Sequence, residues 1–460
     1  MGRTLKCISP IDGAVYAERP VASLPKARKA IEMATKAQFG WAVRPLSERI
    51  ELVMAGVAAI GALNDEIVPE LAWQMGRPVR YGGEFGGFNE RATYMADIAE
   101  SALAPLIVED SDTFERRIER VAHGIVLVIA PWNYPYMTAI NTVAPALIAG
   151  NTVILKHATQ TLLVGERMAD VFREAGVPEG VFQNLFMDHA TTSELISSGA
   201  FRFVNFTGSV RGGIEIEKAA AGTFTGVGLE LGGKDPGYVM DDADVDAAAD
   251  TLIDGAMFNS GQCCCGIERI YVTESLFDQF VEKAVSIVKG YRLGNPLDPE
   301  TTLGPMANLR FADLVRGQVD KAVHAGAVAH ISPMAADDGG TYLSPQILTS
   351  VTHDMAVMRE ENFGPVVGIM SVKDDDHAVA LMNDSDYGLT ASLWTQDAAR
   401  AARIGRQLET GTVFMNRADY LDPALCWTGC KSTGRGGALS VIGYHNLTRP
   451  KSYHLKKATS

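Results

Sequence analysis

The sequence predicts an α/β protein built from two doubly wound lobes. From residue 117 onward, the strand-like runs "RIERVAHGIVLVIA", "NTVILKH" and "FRFVNFTGS" alternate with helical segments, and a second alternating series begins near residue 235. Strands that alternate with helices of this length form right-handed βαβ units, and therefore parallel sheets covered on both faces. The glycine-rich stretch "TGVGLELGGKDPG" between the two series predicts a linker between the lobes.

The individual elements follow from apolar periodicity. Residues 24–63 predict helices because apolar residues recur at i, i+3 and i+4. The segment "LLVGERMADVFREAGVPEG" predicts a helix that ends at Gly176 and Pro178. It is followed by the strand "VFQNLFM", the helix "TTSELISSGA", the strand "FRFVNFTGS" and the helix "GGIEIEKAAA". Ligands of doubly wound sheets bind at the carboxyl ends of strands, so we expect the site in the cleft between the lobes.

The composition limits the class of protein. Of 460 residues, 47% are hydrophobic and 21% are charged, which is typical of a folded globular chain. A net charge of −14 argues against nucleic acid as a partner. The apolar runs are shorter than the roughly 20 residues that a membrane helix needs, and the first residues do not resemble a signal peptide. With six cysteines and no secretory signal, we expect a cytoplasmic protein that binds no membrane.

Half of the cysteines are consecutive, in "FNSGQCCCGIERIYV" at residues 258–272. Structural zinc sites use cysteine pairs two to four residues apart with further ligands, so no metal site is predicted. A disulfide between neighbours is nearly excluded, because adjacent Cα atoms lie about 3.8 Å apart and disulfides need roughly 4.4–6.8 Å. Two interpretations remain: three buried small apolar residues, or one nucleophile flanked by two packing residues.

Five stretches together resemble the aldehyde dehydrogenase superfamily: "APWNYP" (130–135), "FTGS" (206–209), "LELGGK" (229–234), "GQCC" (261–264) and "EENFGP" (360–365). They occur in the expected order, and the resemblance runs from about residue 8 to residue 455. It implies a Rossmann-like cofactor-binding domain (1–106 and 125–231), a catalytic domain (232–445) and a small β oligomerisation arm (107–124 and 446–460). It also implies a homo-dimer or homo-tetramer.

The resemblance implies three catalytic residues. Cys264 matches the nucleophile, and a thiolate that adds to an aldehyde gives a tetrahedral thiohemiacetal whose C–H can leave as hydride. Glu230 matches the general base that takes the thiol proton and later activates water, and its apolar neighbours should raise its pKa. Asn133 matches the amide that donates to the oxyanion, together with the backbone N–H of Cys264. Cys263 and Cys265 are expected to pack.

The expected cofactor is NAD or NADP, with a slight preference for NAD. No G-x-G-x-x-G follows a strand, and the family instead uses the "FTGS" turn, whose N–H groups and helix dipole face the pyrophosphate. Relatives that prefer NAD often carry Glu where this chain has Thr159, so NADP is not repelled here, and a protonated His157 would add positive charge. The resemblance implies these cofactor contacts: Trp132, Lys156, Thr159, Gly208, Ser209, Glu361 and Phe363.

The substrate is expected to be a fairly small, polar or neutral aldehyde. The pocket residues implied by the resemblance are Tyr134, Thr138, Asn141, Tyr420 and Trp427. Relatives that oxidise succinic semialdehyde grip its carboxylate with Arg. No Arg occurs between Asn133 and Lys156 or in the ten residues before Cys264, which counts against that substrate.

Two other functions remain as alternatives. A CoA-acylating relative would release the acyl group to CoA, but such relatives generally lack the Glu of "LELGGK", so Glu230 favours water. A non-catalytic binding or structural protein on the same scaffold is disfavoured by the three intact catalytic residues.

Overall fold

The computed structural model describes residues 3–458, and its first half contains the elements of one lobe. Its strands are β1 Thr4–Ile8, β2 Val15–Pro20, β3 Leu106–Asp110, β4 Phe114–Ala122, β5 Ile125–Ile129, β6 Thr152–Lys156, β7 Phe182–Asn184, β8 Phe203–Thr207 and β9 Gly226–Glu230. Its helices are α1 Leu24–Ala42, α2 Leu46–Ala62, α3 Asn64–Met75, α4 Phe85–Asp97, α5 Ala99–Leu103, α6 Pro135–Ile148, α7 Leu162–Glu174, α8 His189–Ser197 and α9 Val210–Ala220.

The second half continues the alternation of strands and helices. Its strands are β10 Asp235–Val239, β11 Ile267–Thr273, β12 Val328–Ala329, β13 Gln346–Thr349, β14 Val366–Val372, β15 Tyr387–Gly388, β16 Thr390–Trp394, β17 Thr412–Met415, β18 Cys430–Lys431, β19 Gly434–Arg435 and β20 Thr448–Lys456. Its helices are α10 Val245–Met257, α11 Phe277–Lys289, α12 Leu309–His324, α13 Ala356–Arg359, α14 Asp375–Asn383, α15 Ala398–Gly405 and α16 Ser440–Asn446.

The first sheet has the strand order β19-β9-β8-β5-β6-β7 and is parallel except for the short β19. Strand β5, "IVLVI", is buried along its whole length because helices cover both faces. Val126 and Val128 pack with α2, α6 and α7, whereas Leu127 and its neighbours pack with α1, α8 and α9. The chain reverses its direction of winding between β5 and β8, which makes their carboxyl ends a topological switch point.

The second sheet has the order β12-β13-β14-β11-β10-β16-β17 and is parallel except for β12. The fold class is therefore the predicted one, two doubly wound α/β lobes. We expected the carboxyl ends of the strands of both sheets to face the cleft, but the second sheet is oriented the other way. Residues that line the cleft between the lobes, among them Cys264, Phe363 and Leu389, immediately precede strands β11, β14 and β16. The cofactor lobe thus offers carboxyl ends of strands to the cleft, and the second lobe offers amino ends.

The glycine-rich stretch predicted to be a linker is mostly strand. Residues 226–230 form β9 and residues 235–239 form β10, so only residues 231–234 connect the lobes. The glycines serve close packing instead of flexibility. A Cβ on Gly226 would lie 2.7 Å from the Phe203 ring, and one on Gly237 would lie 2.7 Å from Leu252. Glycine in a strand often marks such close approach, and composition alone does not distinguish this from a flexible linker.

The predicted arm is a three-stranded antiparallel sheet, β20-β4-β3, with Thr448 opposite Ala122 and Lys456 opposite Phe114. Residues 1–2 and 459–460, which the predicted domains include, lie outside the described residues. The residues just before the arm do not lie where the predicted domains place them, since residues 232–445 were all assigned to the catalytic domain. Strand β19 pairs with β9, and α16 packs on α5 and α6, so residues 434–446 lie against the cofactor lobe. A two-residue strand has no periodicity by which sequence could have revealed it.

Within residues 3–458 no single helix is long and apolar enough to cross a membrane. The helices Leu46–Ala62 and Asn64–Met75 are long and apolar enough only when they are counted together, and the angle between them is 71°.

Candidate active site

A cavity of about 1300 Å³ lies between the two sheets. Its walls come from the segments after β5 and β8, from the loops before β11 and β14, and from residues 419–433. Every residue that the sequence predicted for the site lines this cavity: Trp132, Asn133, Tyr134, Thr138, Asn141, Lys156, Thr159, Gly208, Ser209, Glu230, Cys264, Glu361, Phe363, Tyr420 and Trp427. Residues as far apart in the chain as Trp132 and Trp427 therefore form one surface.

The loop that presents the cysteines is fixed by buried amides. Asn259 and Ser260 have φ of 54° and 55°, a conformation that costs energy outside glycine. The side chain of Asn259 donates to the backbone oxygens of Asn133 and Gln262, both at 3.2 Å. Gln262 in turn donates from Nε2 to the Asn259 oxygen at 3.0 Å and accepts from the Ala307 N–H at 2.8 Å. These bonds compensate the backbone strain and hold the cysteines at the cavity wall.

The three cysteines have different surroundings. Cys263 and Cys265 are buried, their Sγ atoms lie 3.5 Å apart, and both donate to Oδ1 of Asp419, at 3.3 and 2.9 Å. Cys264 is partly exposed to the cavity. Hydrogen bonding from Cys263 and then Cys265 lowers the pKa of the Cys264 thiol, whereas burial raises the pKa of Asp419 well above its usual range. A lowered pKa increases the fraction of reactive thiolate.

Asn133 is hydrogen-bonded to the loop that carries the three cysteines. Its Nδ2 donates one hydrogen bond to the Gln262 carbonyl oxygen at 3.2 Å. An amide nitrogen carries two hydrogens, and in residues 3–458 no second acceptor bonds to Nδ2, so one N–H remains for an oxyanion. The backbone oxygen of Asn133 accepts from Arg77, whose guanidinium also pairs with Glu84 at 2.6 Å. This buried ion pair fixes the Asn133 backbone.

Glu230 is the last residue of β9, and its carboxylate accepts from the Thr207 hydroxyl at 3.2 Å. Burial raises the pKa of Glu230 to about 7, although the hydrogen bond and the charge of Arg91 oppose the increase. A carboxylate with this pKa exchanges protons near neutral pH, which is what a general base requires. The direction is the expected one, and its cause is burial of the side chain in the fold.

The turn after β8 fits a dinucleotide. Ser209 caps α9 by accepting from the Gly212 N–H at 3.2 Å, and in residues 3–458 no hydrogen bond uses the N–H groups of Val210 and Arg211. A Cβ on Gly208 or Gly212 would lie 2.8 or 2.5 Å from the Phe206 ring. The N-terminus of α9 therefore has backbone N–H groups without partners among the described residues and no Cβ at Gly208 and Gly212, and phosphate groups bind at such helix N-termini. The residues present fit NAD or NADP.

The neighbourhood of the expected adenosine ribose contains Lys156 and Thr159. Lys156 ends β6, and burial lowers its pKa. His157 does not supply the positive charge considered for NADP, because burial lowers its pKa to about 4 and the ring is neutral at pH 7. Its Nε2 lies 3.2 Å from the Pro135 oxygen and its Nδ1 lies 3.1 Å from the Thr161 hydroxyl. The ring therefore joins two loops.

The part of the cavity where the nicotinamide is expected contains Glu361 and Phe363, and a buried lysine holds the backbone of Phe363 in place. Lys234 Nζ pairs with Glu268 at 2.7 Å and donates to Asn362 Oδ1 at 2.9 Å. Glu268 accepts from the backbone N–H of Phe363 at 2.9 Å, which holds that residue at its positive φ of 50°. The Phe363 ring then meets Trp132 edge-on, at 5.6 Å between centroids. The Lys of "LELGGK" is structural here, a role that the sequence did not reveal.

The part of the cavity where the substrate is expected is lined by the predicted polar and aromatic groups. Thr138 and Asn141 project from α6, and the Tyr420 hydroxyl donates to Glu90 at 2.8 Å. Sequence reasoning missed one residue on this side. Arg91 of α4 lines the same cavity and donates from Nη1 to the Met137 oxygen at 3.1 Å. Arg91 lies outside the two stretches, near Asn133 and Cys264, that contain no Arg. The cavity therefore does contain a guanidinium, and the lack of Arg in those stretches does not count against succinic semialdehyde.

Other contributors were also missed, namely Arg77, Glu84, Asn259, Gln262 and Asp419. Each acts on the site through a partner distant in sequence, so no local pattern marks them. The only available signal was the position of Asn259 and Gln262 beside the cysteines.

A cavity at the carboxyl ends of a doubly wound parallel sheet, with a helix N-terminus available for a pyrophosphate, is typical of NAD(P)-dependent oxidoreductases. Comparison with known proteins agrees. The sequence model of the aldehyde dehydrogenase family matches residues 1–453. The chain is 32% identical over 450 residues to succinate-semialdehyde dehydrogenase [NADP(+)] of Deinococcus radiodurans, covering 98% of this chain and 94% of that protein. It is 32% identical over 453 residues to lactaldehyde dehydrogenase of Escherichia coli, covering 98% and 94%.

Among solved structures, the NADP complex of NADP-dependent glyceraldehyde-3-phosphate dehydrogenase from Bacillus halodurans superimposes with a TM-score of 0.94 at 33% identity, covering 99% of this chain and 96% of that one. The chain belongs to the aldehyde dehydrogenase family. It is an oxidoreductase that oxidises an aldehyde with NAD or NADP, and the CoA-acylating alternative is not favoured.

Proposed function

We propose that the protein oxidises a small aldehyde to the carboxylic acid through a covalent intermediate on Cys264, which water then hydrolyses. The observation that carries this proposal is the meeting of three groups at one cavity: a thiol of lowered pKa, a free amide N–H and a carboxyl group with a pKa of about 7. Each group matches one requirement of the reaction, namely nucleophile, oxyanion donor and general base.

The residues act in sequence. The Cys264 thiolate adds to the carbonyl carbon, and the free N–H of Asn133 together with the Cys264 backbone N–H stabilises the oxyanion. A nicotinamide cofactor bound beside Trp132 and Phe363 would supply the acceptor for the hydride that leaves the thiohemiacetal. Glu230 then removes a proton from the water that attacks the resulting thioester, and the Cys264 thiolate leaves as the acid forms. Because the flanking thiols already lower the pKa of Cys264, Glu230 is needed less for activation of the thiol than for hydrolysis.

For the cofactor we propose that both NAD and NADP are accepted. The bare N-terminus of α9 would hold the pyrophosphate, Trp132 and Phe363 would border the nicotinamide, and Glu361 would face its ribose. The position of Thr159 carries no carboxylate that would repel a 2′-phosphate, and the basic Lys156 and Arg211 line the same part of the cavity.

We also propose a homo-oligomer that forms through the arm. Leu106, Ile107 and Val108 of β3 are more than half exposed, and β3 is an edge strand with unpaired backbone groups. Apolar edge strands tend to pair with another chain. A cytoplasmic location is proposed because all six cysteines are free thiols, as a reducing compartment would keep them.

The test is Cys264→Ala, with Cys263→Ala and Cys265→Ala as matched controls. Reduction of NAD(P) should be abolished in Cys264→Ala while calorimetry still detects cofactor binding. The two controls should keep substantial turnover, with the optimum displaced to higher pH because the thiol that lowers the pKa of Cys264 is gone. Loss of activity in a control together with survival of Cys264→Ala would assign the nucleophile elsewhere.

A further inference from the structure

The guanidinium of Arg91 occupies an unusual position in the substrate half of the cavity. Its Nη1 is anchored to α6, by the Met137 oxygen at 3.1 Å and by Oδ1 of Asn141 at 3.4 Å. Both acceptors lie within eight residues of Asn133, and Asn141 itself lines the cavity. The charge is therefore held in a fixed place beside the reacting groups, on an element of the rigid scaffold.

Within the described residues, no carboxylate forms a salt bridge with this charge, and Glu84, Glu90 and the neighbouring thiols act on it only at longer range. In residues 3–458 no carboxylate oxygen lies within 4 Å of it, and its buried Nε has no hydrogen-bond partner. The nearby acids are engaged elsewhere. Glu84 uses one oxygen for Arg77 at 2.6 Å and the other for the Met137 N–H at 2.7 Å, and Glu90 accepts from Tyr420.

Two groups of the reaction also act on this charge, the thiol of Cys264 and the carboxyl group of Glu230, and Glu230 is a poor counter-ion. Arg91 lowers the pKa of Glu230, but burial outweighs this effect, so the carboxyl group is charged only about half of the time at pH 7. An unpaired charge at the wall of a concave site is unfavourable unless a ligand of opposite charge satisfies it. A planar guanidinium matches a carboxylate best.

We propose that Arg91 selects aldehydes that carry a carboxylate group, gripping that carboxylate while the aldehyde carbon reaches Cys264. This inference rests on the proposed aldehyde oxidation and specifies its substrate class. Thr138 and Asn141 contribute neutral polar contacts beside the carboxylate. Arg91 acts in binding and not in proton transfer, so its removal should raise KM more than it lowers kcat.

The experiment compares succinic and glutaric semialdehyde, each with its methyl ester, which has nearly the same shape without the charge. For the wild type, kcat/KM should be higher for the acids. Arg91→Gln should lower kcat/KM for the acids about 10- to 150-fold, mainly through KM, and change the esters less than about threefold. Arg91→Lys, which keeps the charge but not the planar fork, should be intermediate. Arg173→Gln is the matched control, because it removes an exposed cation of α7 that does not line the cavity.

Three results would overturn the proposal: equal wild-type kcat/KM for acids and esters, equal losses for both in Arg91→Gln, or the same selective loss in Arg173→Gln. Equal losses would mean that Arg91 supports Glu230 or the fold. Binding is measured independently by calorimetry, with succinate and its monoamide as probes. Tighter binding of succinate by the wild type than by Arg91→Gln supports the role of Arg91 even if no aldehyde is oxidised, in which case only the proposed function fails. Equal binding overturns the role.

Discussion

Replacement of Glu230 by Gln separates the two halves of the proposed reaction. The amide keeps the size of the side chain and can still accept from the Thr207 hydroxyl, but it cannot take a proton from water. Cys264 should still form the thioester at pH 7, because the thiols of Cys263 and Cys265 lower its pKa independently of Glu230. Hydrolysis should then stall, since neutral water attacks a thioester slowly without a base.

The magnitude follows from the pKa of Glu230, which burial raises to about 7. About one tenth of the wild-type carboxyl groups are charged at pH 6 and about nine tenths at pH 8, so a hydrolysis-limited kcat should rise roughly tenfold over this interval. Loss of a general base typically costs about 10²–10⁴-fold. The variant should lose turnover to that extent, and the rise between pH 6 and pH 8 should disappear with it.

Rapid mixing with excess aldehyde and NAD(P) provides the assay. The variant should release one equivalent of NAD(P)H per active site and then nearly stop, with an acyl adduct on Cys264 in the intact mass, and CoA should not restore turnover. Glu194→Gln, the same chemical change on the exposed surface of α8, should behave as the wild type. Wild-type steady-state rates without a burst, or an unchanged pH profile in Glu230→Gln, would refute the assignment of Glu230 as the base.

A second readout concerns stability. The folded-state pKa of Glu230 lies above its ordinary value of 4.5, so a charged Glu230 opposes folding. The wild type should therefore lose stability relative to Glu230→Gln as the pH rises from about 4.5 to about 7, and the difference should stay constant above that range. Urea unfolding at pH 4.5 and pH 8 measures it, and a difference that is independent of pH would contradict the buried, raised pKa.

Three further predictions test other parts of the structure. Thr159→Glu should lower kcat/KM for NADP relative to NAD by about 5–150-fold through repulsion of the 2′-phosphate, and an unmoved ratio would mean that residue 159 does not face the ribose. Lys234→Met leaves the buried Glu268 unpaired and should lower the free energy of unfolding by about 3–5 kcal/mol, whereas Lys218→Met, which breaks an exposed pair, should cost less than about 1 kcal/mol in the same urea titration. Replacement of Leu106 and Val108 by Glu should reduce the mass measured by light scattering to that of the monomer, while Leu425→Glu should not.

The sequence by itself determined the fold class and the identity of the motifs. Alternation of apolar strands and amphipathic helices is a local property of the chain, and it correctly predicted both parallel sheets and the helices that cover them. The resemblance that the five motifs carry implied which residues line the cavity, including Cys264, Glu230 and Asn133. Composition failed at "TGVGLELGGKDPG", because glycines that permit close packing look the same as glycines that permit flexibility.

Only the tertiary structure decided the electrostatics of the site. Asp419 lies more than 150 residues from the cysteines that donate to it, and Arg91 reaches the cavity from a helix outside every motif. Burial makes His157 neutral and brings Glu230 to a pKa of about 7, although both are ordinary side chains in the sequence. The reason is physical: pKa values, counter-ions and unpaired donors depend on which groups surround a side chain in space, and the chain specifies that neighbourhood only when it is folded.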